Sequence, residues 1–225
     1  MKKRGREKND LERYYRRLRE VYGPQRWWPA ETPFEVIVGA ILTQNTAWKN
    51  VEKAIRNLKA AGLLNPEGLR RVSVRRLARC IRPSGYFNIK ASRLKAFVRF
   101  LFENHDGDVR RLFSEPVEAL RAGLLSVKGI GPETADSILL YAAGLPVFVI
   151  DAYTRRVLSR HGLVSRQASY SDLQRFFMDR LPPRADLYNE YHALLVRVGK
   201  EHCRRRPVCN GCPLEIFLDG KRPQI

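Results

Sequence analysis

The segment Phe34–Leu42, FEVIVGAIL, restricts the possible folds of this chain more than any other stretch. It is apolar on every side of a helical wheel, and a helix of that kind is buried on all faces. Thr32 and Pro33 precede it as a helix cap and a first-turn proline. A chain of 225 residues is long enough to surround such a helix, in one large domain or two small ones. The segment therefore predicts a central helix with other elements packed around it.

Helical spacing of apolar residues continues through the rest of the chain. Leu11–Val21 carries an apolar face made by Leu11, Tyr14, Tyr15, Leu18 and Val21. Turn signals such as RPSG and KGIG separate further predicted helices: those around Val51–Leu58 and Leu94–Leu101, and those at Val117–Ser126, Pro132–Ala143, Ala152–Arg160, Ser171–Leu181 and Leu187–Glu201. We find no strand alternation, internal repeat or low-complexity linker. The predicted fold class is all-α.

The charge of the chain indicates an anionic partner. It has 42 Lys and Arg against 23 Asp and Glu, a formal net charge of +19, which is more than solubility requires. Neutralisation of phosphates by Lys and Arg drives nucleic-acid binding, so nucleic acid is the expected partner. The basic N-terminus lacks the apolar core of a signal peptide, and no run of about 18 apolar residues predicts a membrane span. We therefore expect a cytoplasmic, nucleoid-associated protein with reduced cysteines.

The turn Ser126–Pro132, SVKGIGP, links two predicted helices. Its glycines permit positive φ and close approach of the backbone, and Pro132 suits the first turn of the following helix. The free N–H groups of that turn would face an anion such as a DNA phosphate. An ordinary corner between two helices has the same composition, so the turn alone leaves both interpretations open.

Asp151 is a single acid at the end of the apolar run that follows the second predicted helix of this pair. It is either a catalytic carboxylate or a helix N-cap, for which Asp is a favoured residue. Both roles are compatible, because a cap orients the carboxylate and keeps it charged.

The pattern L-x-V-K-G-I-G-x-x-T-A-D-x-I-L, followed by V-I-D-A-Y-T-x-R-V, resembles the helix–hairpin–helix DNA glycosylases of the endonuclease III superfamily. The resemblance runs from about Trp27 to Leu214. It implies a two-lobed fold with a central cleft, in which residues 32–145 form a helical barrel domain and residues 1–31 and 146–225 form the second domain. It implies a monomer that acts on double-stranded DNA with a flipped, damaged base, because the glycosidic bond is inaccessible inside the stack. Asp151 would then stabilise the oxocarbenium-like transition state.

Glu133 stands where superfamily members that also cut the strand carry a lysine, whose amine forms a Schiff base with the sugar. A carboxylate cannot form that imine, and Lys128 lies on the other side of the turn. The resemblance therefore implies a monofunctional glycosylase without AP-lyase activity. Lys128, Gly129, Gly131 and Glu133 are the expected hairpin contacts to DNA.

The segment RWWPAETPFEVIVGAILTQNTAWKNV is similar to the endonuclease III-related 3-methyladenine DNA glycosylases. By that resemblance the base pocket contains Trp27, Trp28, Pro29, Trp48 and Lys200, and Trp28 with Trp48 would sandwich a cationic alkylated purine. Packing at a domain boundary is the alternative for the tryptophans, and a solvated helix end for the lysine. A mismatch thymine or uracil glycosylase and a non-catalytic DNA-binding module are the alternative functions.

Two further residues match the superfamily's contacts to DNA. Gln44 corresponds to the polar residue that enters the gap left by the flipped nucleotide, and Tyr86 to an apolar wedge. A structural role is the alternative for both.

Cys203, Cys209 and Cys212 form a C-x5-C-x2-C motif beside three arginines. The superfamily's iron–sulfur loop has the pattern C-x6-C-x2-C-x5-C, so the first gap is one residue short and Leu218 occupies the fourth position. The resemblance implies a [4Fe–4S] cluster whose fourth ligand the sequence does not identify, with zinc or a metal-free loop as alternatives. Cys80 is expected to be a buried thiol.

Overall fold

The structure is a computed structural model that describes residues 2–218, 220 and 223, without the side chains of residues 2–9. In this part of the chain there are twelve α-helices and no strand, which confirms the all-α prediction. The helices are α1 (Lys2–Tyr22), α2 (Pro33–Thr43), α3 (Trp48–Ala60), α4 (Pro66–Arg71), α5 (Val74–Cys80), α6 (Phe87–His105), α7 (Val109–Phe113), α8 (Val117–Ser126), α9 (Pro132–Ser137), α10 (Ala152–Arg160), α11 (Tyr170–Met178) and α12 (Ala185–Glu201).

Contacts divide the chain into two compact units, Trp28–Leu145 and Met1–Trp27 with Pro146–Ile225. We refer to them as the hairpin unit and the terminal unit. The division of roles between two domains, and the cleft, stay predictions.

Helix α2 is the centre of the hairpin unit. Its buried residues run from Phe34 to Leu42 without a break, as the sequence predicts. Thr32 caps the helix, since its Oγ1 accepts a hydrogen bond from the N–H of Glu35 at 3.1 Å. Helices α3, α6 and α9 pack around α2. Each large apolar side chain buried in this way stabilises the fold by about 1.5–3 kcal/mol.

An aromatic cluster forms the core of the terminal unit. Phe148 stacks on Phe177, with ring centroids 3.8 Å apart, and Tyr188 and Tyr191 of α12 contact the Phe148 ring edge-on. The hydroxyl of Tyr191 donates to the carbonyl of Leu11 at 2.9 Å, which joins α1 to α12. These contacts hold the segment 145–151, which leads to Asp151, against α11 and α12.

Three sequence expectations require correction. Cys80, expected to be a buried thiol, is only half-buried at the end of α5. The helix predicted over Pro132–Ala143 ends as an α-helix at Ser137 and continues as one π-helical turn, Ile138–Ala142. The N–H of Ala143 reaches back five residues to the carbonyl of Ile138, and this wider turn buries three consecutive apolar residues, Ile138, Leu139 and Leu140. Val21 was expected on the buried face of α1 but is exposed, because it lies at the edge of that face in the last turn.

We predict that a buried histidine makes the terminal unit sensitive to acid. The ring Nδ1 of His161 lies 2.9 Å from the hydroxyl of Tyr14, and burial lowers the pKa of His161 to about 4. In the unfolded chain this pKa is near its ordinary value of about 6.5. Between these values the unfolded state binds the extra proton, so stability falls as pH falls, by about 2 kcal/mol from pH 7 to pH 5. Urea unfolding at both pH values should show this loss, and His161→Gln should remove most of it. An unchanged pH dependence in the variant would contradict the assignment.

Candidate active site

The hairpin between α8 and α9 alternates buried and exposed residues. Val127 and Ile130 are 5% exposed and anchor the turn, whereas Lys128, Gly129 and Gly131 are exposed. Gly129 has a φ of +92°, a conformation that L-residues rarely adopt. Pro132 and Glu133 form the exposed first turn of α9. The hairpin therefore directs its polar backbone outward and its apolar side chains into the core, as a backbone-binding turn requires.

Gln44 is bound to this hairpin. Its Nε2 donates to the carbonyl of Gly129 at 3.0 Å and to Oγ1 of Thr134 at 2.9 Å, and its Oε1 accepts a hydrogen bond from Arg93. Arg93 also packs over Gly129, where an added Cβ would lie 2.5 Å from Arg93 Cγ. The side chain predicted to enter the DNA thus rests on the hairpin, and its insertion stays a prediction. Nothing in the sequence indicates the contact of Arg93 with the hairpin, because its surroundings are those of an ordinary helical arginine.

An ion pair with a fully buried carboxylate joins the two helices that flank the hairpin. The carboxylate of Asp136 on α9 is fully buried and accepts two hydrogen bonds from Arg121 on α8, at 2.7 and 3.1 Å. A bidentate pair of this kind fixes the relative orientation of the two helices that flank the turn.

A cavity of about 190 Å³ opens beside the tryptophans of the hairpin unit. Its lining includes three of the predicted pocket residues, Trp28, Pro29 and Trp48. An engineered protein cavity of about 150 Å³ holds benzene, so this one has room for an aromatic ring. The cavity is also lined by charged residues that the sequence did not indicate, two acidic and two basic: Glu35, Glu52, Arg56 and Lys59.

The charges around the cavity are partly paired. Glu35 Oε2 lies 3.0 Å from the ammonium of Lys59, which also contacts Glu31 at 2.8 Å. The indole N–H of Trp48 donates to Glu52 Oε1 at 3.0 Å. A carboxylate on the indole N–H adds negative potential to the Trp48 ring, which strengthens its attraction for a cation.

The two tryptophans do not form a sandwich. Their ring centroids are 4.9 Å apart and the rings are nearly perpendicular, at 89°, so no base fits between them. Trp28 lies against α2, where a Cβ on Gly39 would come within 3.0 Å of Trp28 Cζ2, and it also contacts Tyr141 of the π-helical turn. The expectation of parallel walls therefore fails, because Trp28 is wedged against the glycine of α2.

Trp27 and Lys200, the other predicted pocket residues, belong to the terminal unit. Trp27 is half-buried, and Lys200 is an exposed residue in the last turn of α12. The ammonium of Lys200 lies 5.9 Å from the ring centroid of Tyr153. Their pocket assignment stays a prediction.

Asp151 is the N-cap of α10 in the terminal unit. Its Oδ1 accepts a hydrogen bond from the N–H of Thr154 at 2.7 Å, and its side chain is 12% exposed. The Nε2 atom of His192 on α12 lies 3.8 Å from Asp151 Oδ2. Burial lowers the pKa of His192, Asp151 opposes that shift, and Lys200 adds to it. A neutral imidazole beside Asp151 leaves the negative charge of the carboxylate available. The sequence did not indicate this neighbour, because nothing local links residues 151 and 192.

Tyr86 protrudes from the loop that precedes α6. It is 68% exposed and has a φ of +44°, the left-handed region that non-glycine residues rarely occupy. Asn45, in the loop after α2, is also exposed and has a φ of +52°. Strained residues of this kind cluster at ligand-binding sites, so both loops are candidates for contact with DNA.

The loop that contains Cys203, Cys209 and Cys212 is the site that the resemblance implies for a cluster. Burial raises the pKa of Cys212 to about 11, and Cys209 and Cys203 act in the same direction. Leu218, at the position of a fourth cysteine, is a core residue. Among the described residues, no group of three or more His, Cys, Asp or Glu side chains is arranged to hold a metal ion. The residues present do not fit a four-thiolate iron–sulfur cluster.

Two arginines of α10 organise the start of this loop instead. Arg160 is buried and donates hydrogen bonds to Cys203 Sγ at 3.4 Å and to the carbonyls of Arg204 and Arg205. Arg156 donates to the carbonyls of Cys203 and Gly199. These bonds satisfy backbone acceptors that the chain would otherwise leave without partners where α12 ends.

Comparisons with known proteins agree with this fold. Residues 38–183 match the family described as the HhH-GPD superfamily base excision DNA repair protein. A relative from Methanocaldococcus jannaschii, named "Putative DNA repair glycosylase MJ1434", is 47% identical over 92% of this chain and 94% of its own length. The H. pylori 3-methyladenine DNA glycosylase, in complex with 1,N6-ethenoadenine, is 30% identical with a TM-score of 0.75, over 87% of this chain and 97% of that chain. An endonuclease III–DNA complex shares the fold, with a TM-score of 0.80 and 22% identity over 93% of this chain and 94% of that chain.

The chain belongs to the HhH-GPD superfamily of base excision DNA repair proteins. It is a DNA glycosylase, an enzyme that acts on glycosyl bonds in DNA, which confirms the class implied by the hairpin motif. No helix in the described part of the chain is long and apolar enough to cross a membrane.

The two hairpin glycines should respond differently to alanine. Gly129→Ala places a side chain at positive φ, which costs about 1–2 kcal/mol, and pushes Arg93 away. Gly131 has a φ of −99° and open space where its Cβ would lie, so Gly131→Ala is the matched control. Thermal unfolding should show a lower Tm for Gly129→Ala only. Equal Tm values for the two variants would contradict the packing of Arg93 on the hairpin.

Proposed function

We propose that the protein is a monofunctional DNA glycosylase that excises alkylated purines, with 3-methyladenine as the main substrate. The observation that carries this proposal is the cavity of the hairpin unit, which combines tryptophan rings with the carboxylate of Glu52 on the Trp48 indole. Aromatic faces and nearby anions favour a base that carries positive charge. The 30% identity to the H. pylori 3-methyladenine DNA glycosylase supports the same substrate class.

Asp151 is the catalytic residue in this proposal. As the base leaves, positive charge develops on the sugar, and a carboxylate beside it stabilises the transition state. The Thr154 N–H orients that carboxylate, while the neutral His192 does not neutralise it. Water then completes the hydrolysis at the sugar, and the strand stays intact. An alkylated base is already a good leaving group because it departs as a neutral molecule, so this limited assistance suffices.

Two surfaces hold the duplex while one nucleotide is flipped out. The hairpin residues Lys128, Gly129 and Gly131 contact the backbone phosphates, and Gln44 with Tyr86 fills the gap left by the flipped base. In the terminal unit, the exposed arginines Arg204, Arg205 and Arg206 add positive charge to the cysteine loop.

Cys203, Cys209 and Cys212 stay candidates for metal ligands, with no residue assigned as a fourth. The role proposed for their loop is to present basic residues to DNA, and redox chemistry has no part in it. Iron and zinc analysis of anaerobically purified protein distinguishes a cluster, a zinc site and a metal-free loop.

We predict that Asp151→Asn nearly abolishes base release and keeps DNA affinity. Asparagine is as good an N-cap as aspartate, so the fold is retained, and the loss of one anion near phosphates does not weaken binding. Release of methylated bases and affinity for a duplex with an abasic-site analogue measure the two properties.

Wild-type protein treated with borohydride on its substrate should give no covalent adduct, because Glu133 replaces the lyase lysine. Unchanged turnover in Asp151→Asn would refute the catalytic role, and a trapped adduct would refute the monofunctional one.

We predict that specificity for cationic bases depends on Trp48 and Glu52. Cation–π attraction contributes about 0.5–2 kcal/mol, or about 2- to 30-fold in rate. Trp48→Leu should therefore slow single-turnover release of 3-methyladenine by that factor and leave affinity for abasic DNA, which has no base to bind, unchanged. Glu52→Gln keeps the size of the side chain and should produce a smaller loss.

The comparison substrates are neutral uracil and thymine opposite guanine. Robust release of either, with little release from methylated DNA, would assign the protein to the mismatch glycosylases instead.

A further inference from the structure

Lys90 is a buried cation outside the site described above. It lies in the first turns of α6, is 1% exposed, and ranks among the largest fully buried side chains of the described residues. Its Nζ donates hydrogen bonds to the carbonyl of Leu42 at 2.8 Å, to Oγ1 of Thr46 at 2.6 Å and to the carbonyl of Ser84 at 2.7 Å. All three donor positions of the ammonium are therefore used, and every acceptor is uncharged.

The acceptors join the end of α2 and the loop after it to the loop before α6. Leu42 lies in the last turn of α2. Thr46 belongs to the loop 43–47, whose first residue ends α2 and which carries Gln44 and Asn45, and Ser84 belongs to the loop 82–86, which carries Tyr86. Thr46 Oγ1 also donates to the carbonyl of Ser84 at 2.5 Å, so the loops bond to each other beneath the ammonium. Lys90 is thus the common partner of both loops.

A buried cation at this position has a large desolvation cost. Taking an ammonium out of water costs several kcal/mol unless its hydrogen bonds are excellent, and a methionine would fill the volume without that cost. In agreement with this cost, burial and, to a lesser extent, the charge of Arg93 lower the pKa of Lys90 to about 8. Packing alone does not account for a charge here. A methionine has no donor, so it could not form the hydrogen bonds by which the ammonium joins the two loops.

We propose that Lys90 is a positioning residue that ties the loops 43–47 and 82–86 together, so that Gln44 and Tyr86 enter the duplex as one rigid unit. The proposal rests on the proposed function of those two side chains. Each loop tip is strained, since φ is +52° at Asn45 and +44° at Tyr86. Without Lys90 only the Thr46–Ser84 hydrogen bond joins the loops, so their tips relax more independently of each other. The duplex is then opened less often, although the hairpin still binds its backbone.

The test measures insertion rather than base release, so it does not depend on which base the enzyme excises. The probe is a duplex with a tetrahydrofuran abasic analogue opposite 2-aminopurine, whose fluorescence rises when the orphaned base is unstacked. Lys90→Met should bind this duplex within about 3-fold of wild type. Its rate of fluorescence rise should fall at least about 10-fold, because hydrogen bonds to a charged group contribute about 1.5–3 kcal/mol each.

Lys95→Met is the matched control. Lys95 lies on the same helix, its pKa is also lowered by burial, and its Nζ donates to the carbonyls of Leu69 and Arg70, away from both loops. It should keep the wild-type rate. If the rate of the fluorescence rise falls equally in Lys90→Met and Lys95→Met, the cause is a general loss of helix stability. That result would overturn the proposal.

Thr46→Val extends the test to the case where Lys90→Met fails to fold. It removes one acceptor of the ammonium and the direct bond to Ser84, and it should give an intermediate rate; a wild-type rate in Thr46→Val would overturn the proposal. Tyr86→Ala reports on the proposed function itself. If Tyr86→Ala loses insertion while folded Lys90→Met keeps it, the tie alone is refuted. If Tyr86→Ala inserts normally, the wedge and the tie are both refuted.

Discussion

Complete burial of α2 determines where polar chemistry can occur in the hairpin unit. The helix offers no polar side chain in its middle turns, so function is confined to its two ends. At the N-terminal end Thr32 accepts a hydrogen bond from the N–H of Glu35, and the Glu35 side chain lines the cavity. At the C-terminal end the Leu42 carbonyl finds Lys90, a cation in the place where a helix dipole favours one.

The hairpin unit depends on a second constraint, that exposed backbone must be held rigid by buried side chains. Val127 and Ile130 anchor the turn, and the Arg121–Asp136 pair fixes the helices on either side. Gln44 connects the turn to the end of α2. A loop that binds phosphate through its backbone loses little entropy on binding when it is already fixed in this way.

Much of the fold was predictable because apolar periodicity is local information. The bounds of α8 and α10 agree with the periodicity, and the buried span of α2 follows from composition alone. The π-helical turn at Ile138–Ala142 was not predictable, because it depends on how three apolar residues share one core. In the site, the motif resemblance gave Trp28, Pro29 and Trp48. It did not give the perpendicular ring geometry, or Glu52, Arg93 and His192, whose roles come from contacts between distant positions. Lys90 in the sequence FNIKAS reads as an ordinary solvated lysine.

The distribution of charge separates affinity from specificity. A net charge of +19 attracts any nucleic acid, and such attraction carries no information about the base. Discrimination between bases needs a local environment, and the cavity combines tryptophan rings with two carboxylates, Glu35 and Glu52, and two cations, Arg56 and Lys59. Lys59 pairs with Glu31 and Glu35, whereas Glu52 accepts a hydrogen bond from the uncharged indole of Trp48. Under the proposed function, the basic surface binds all DNA, and the Trp48 ring with the Glu52 carboxylate retains longest the base that carries a positive charge.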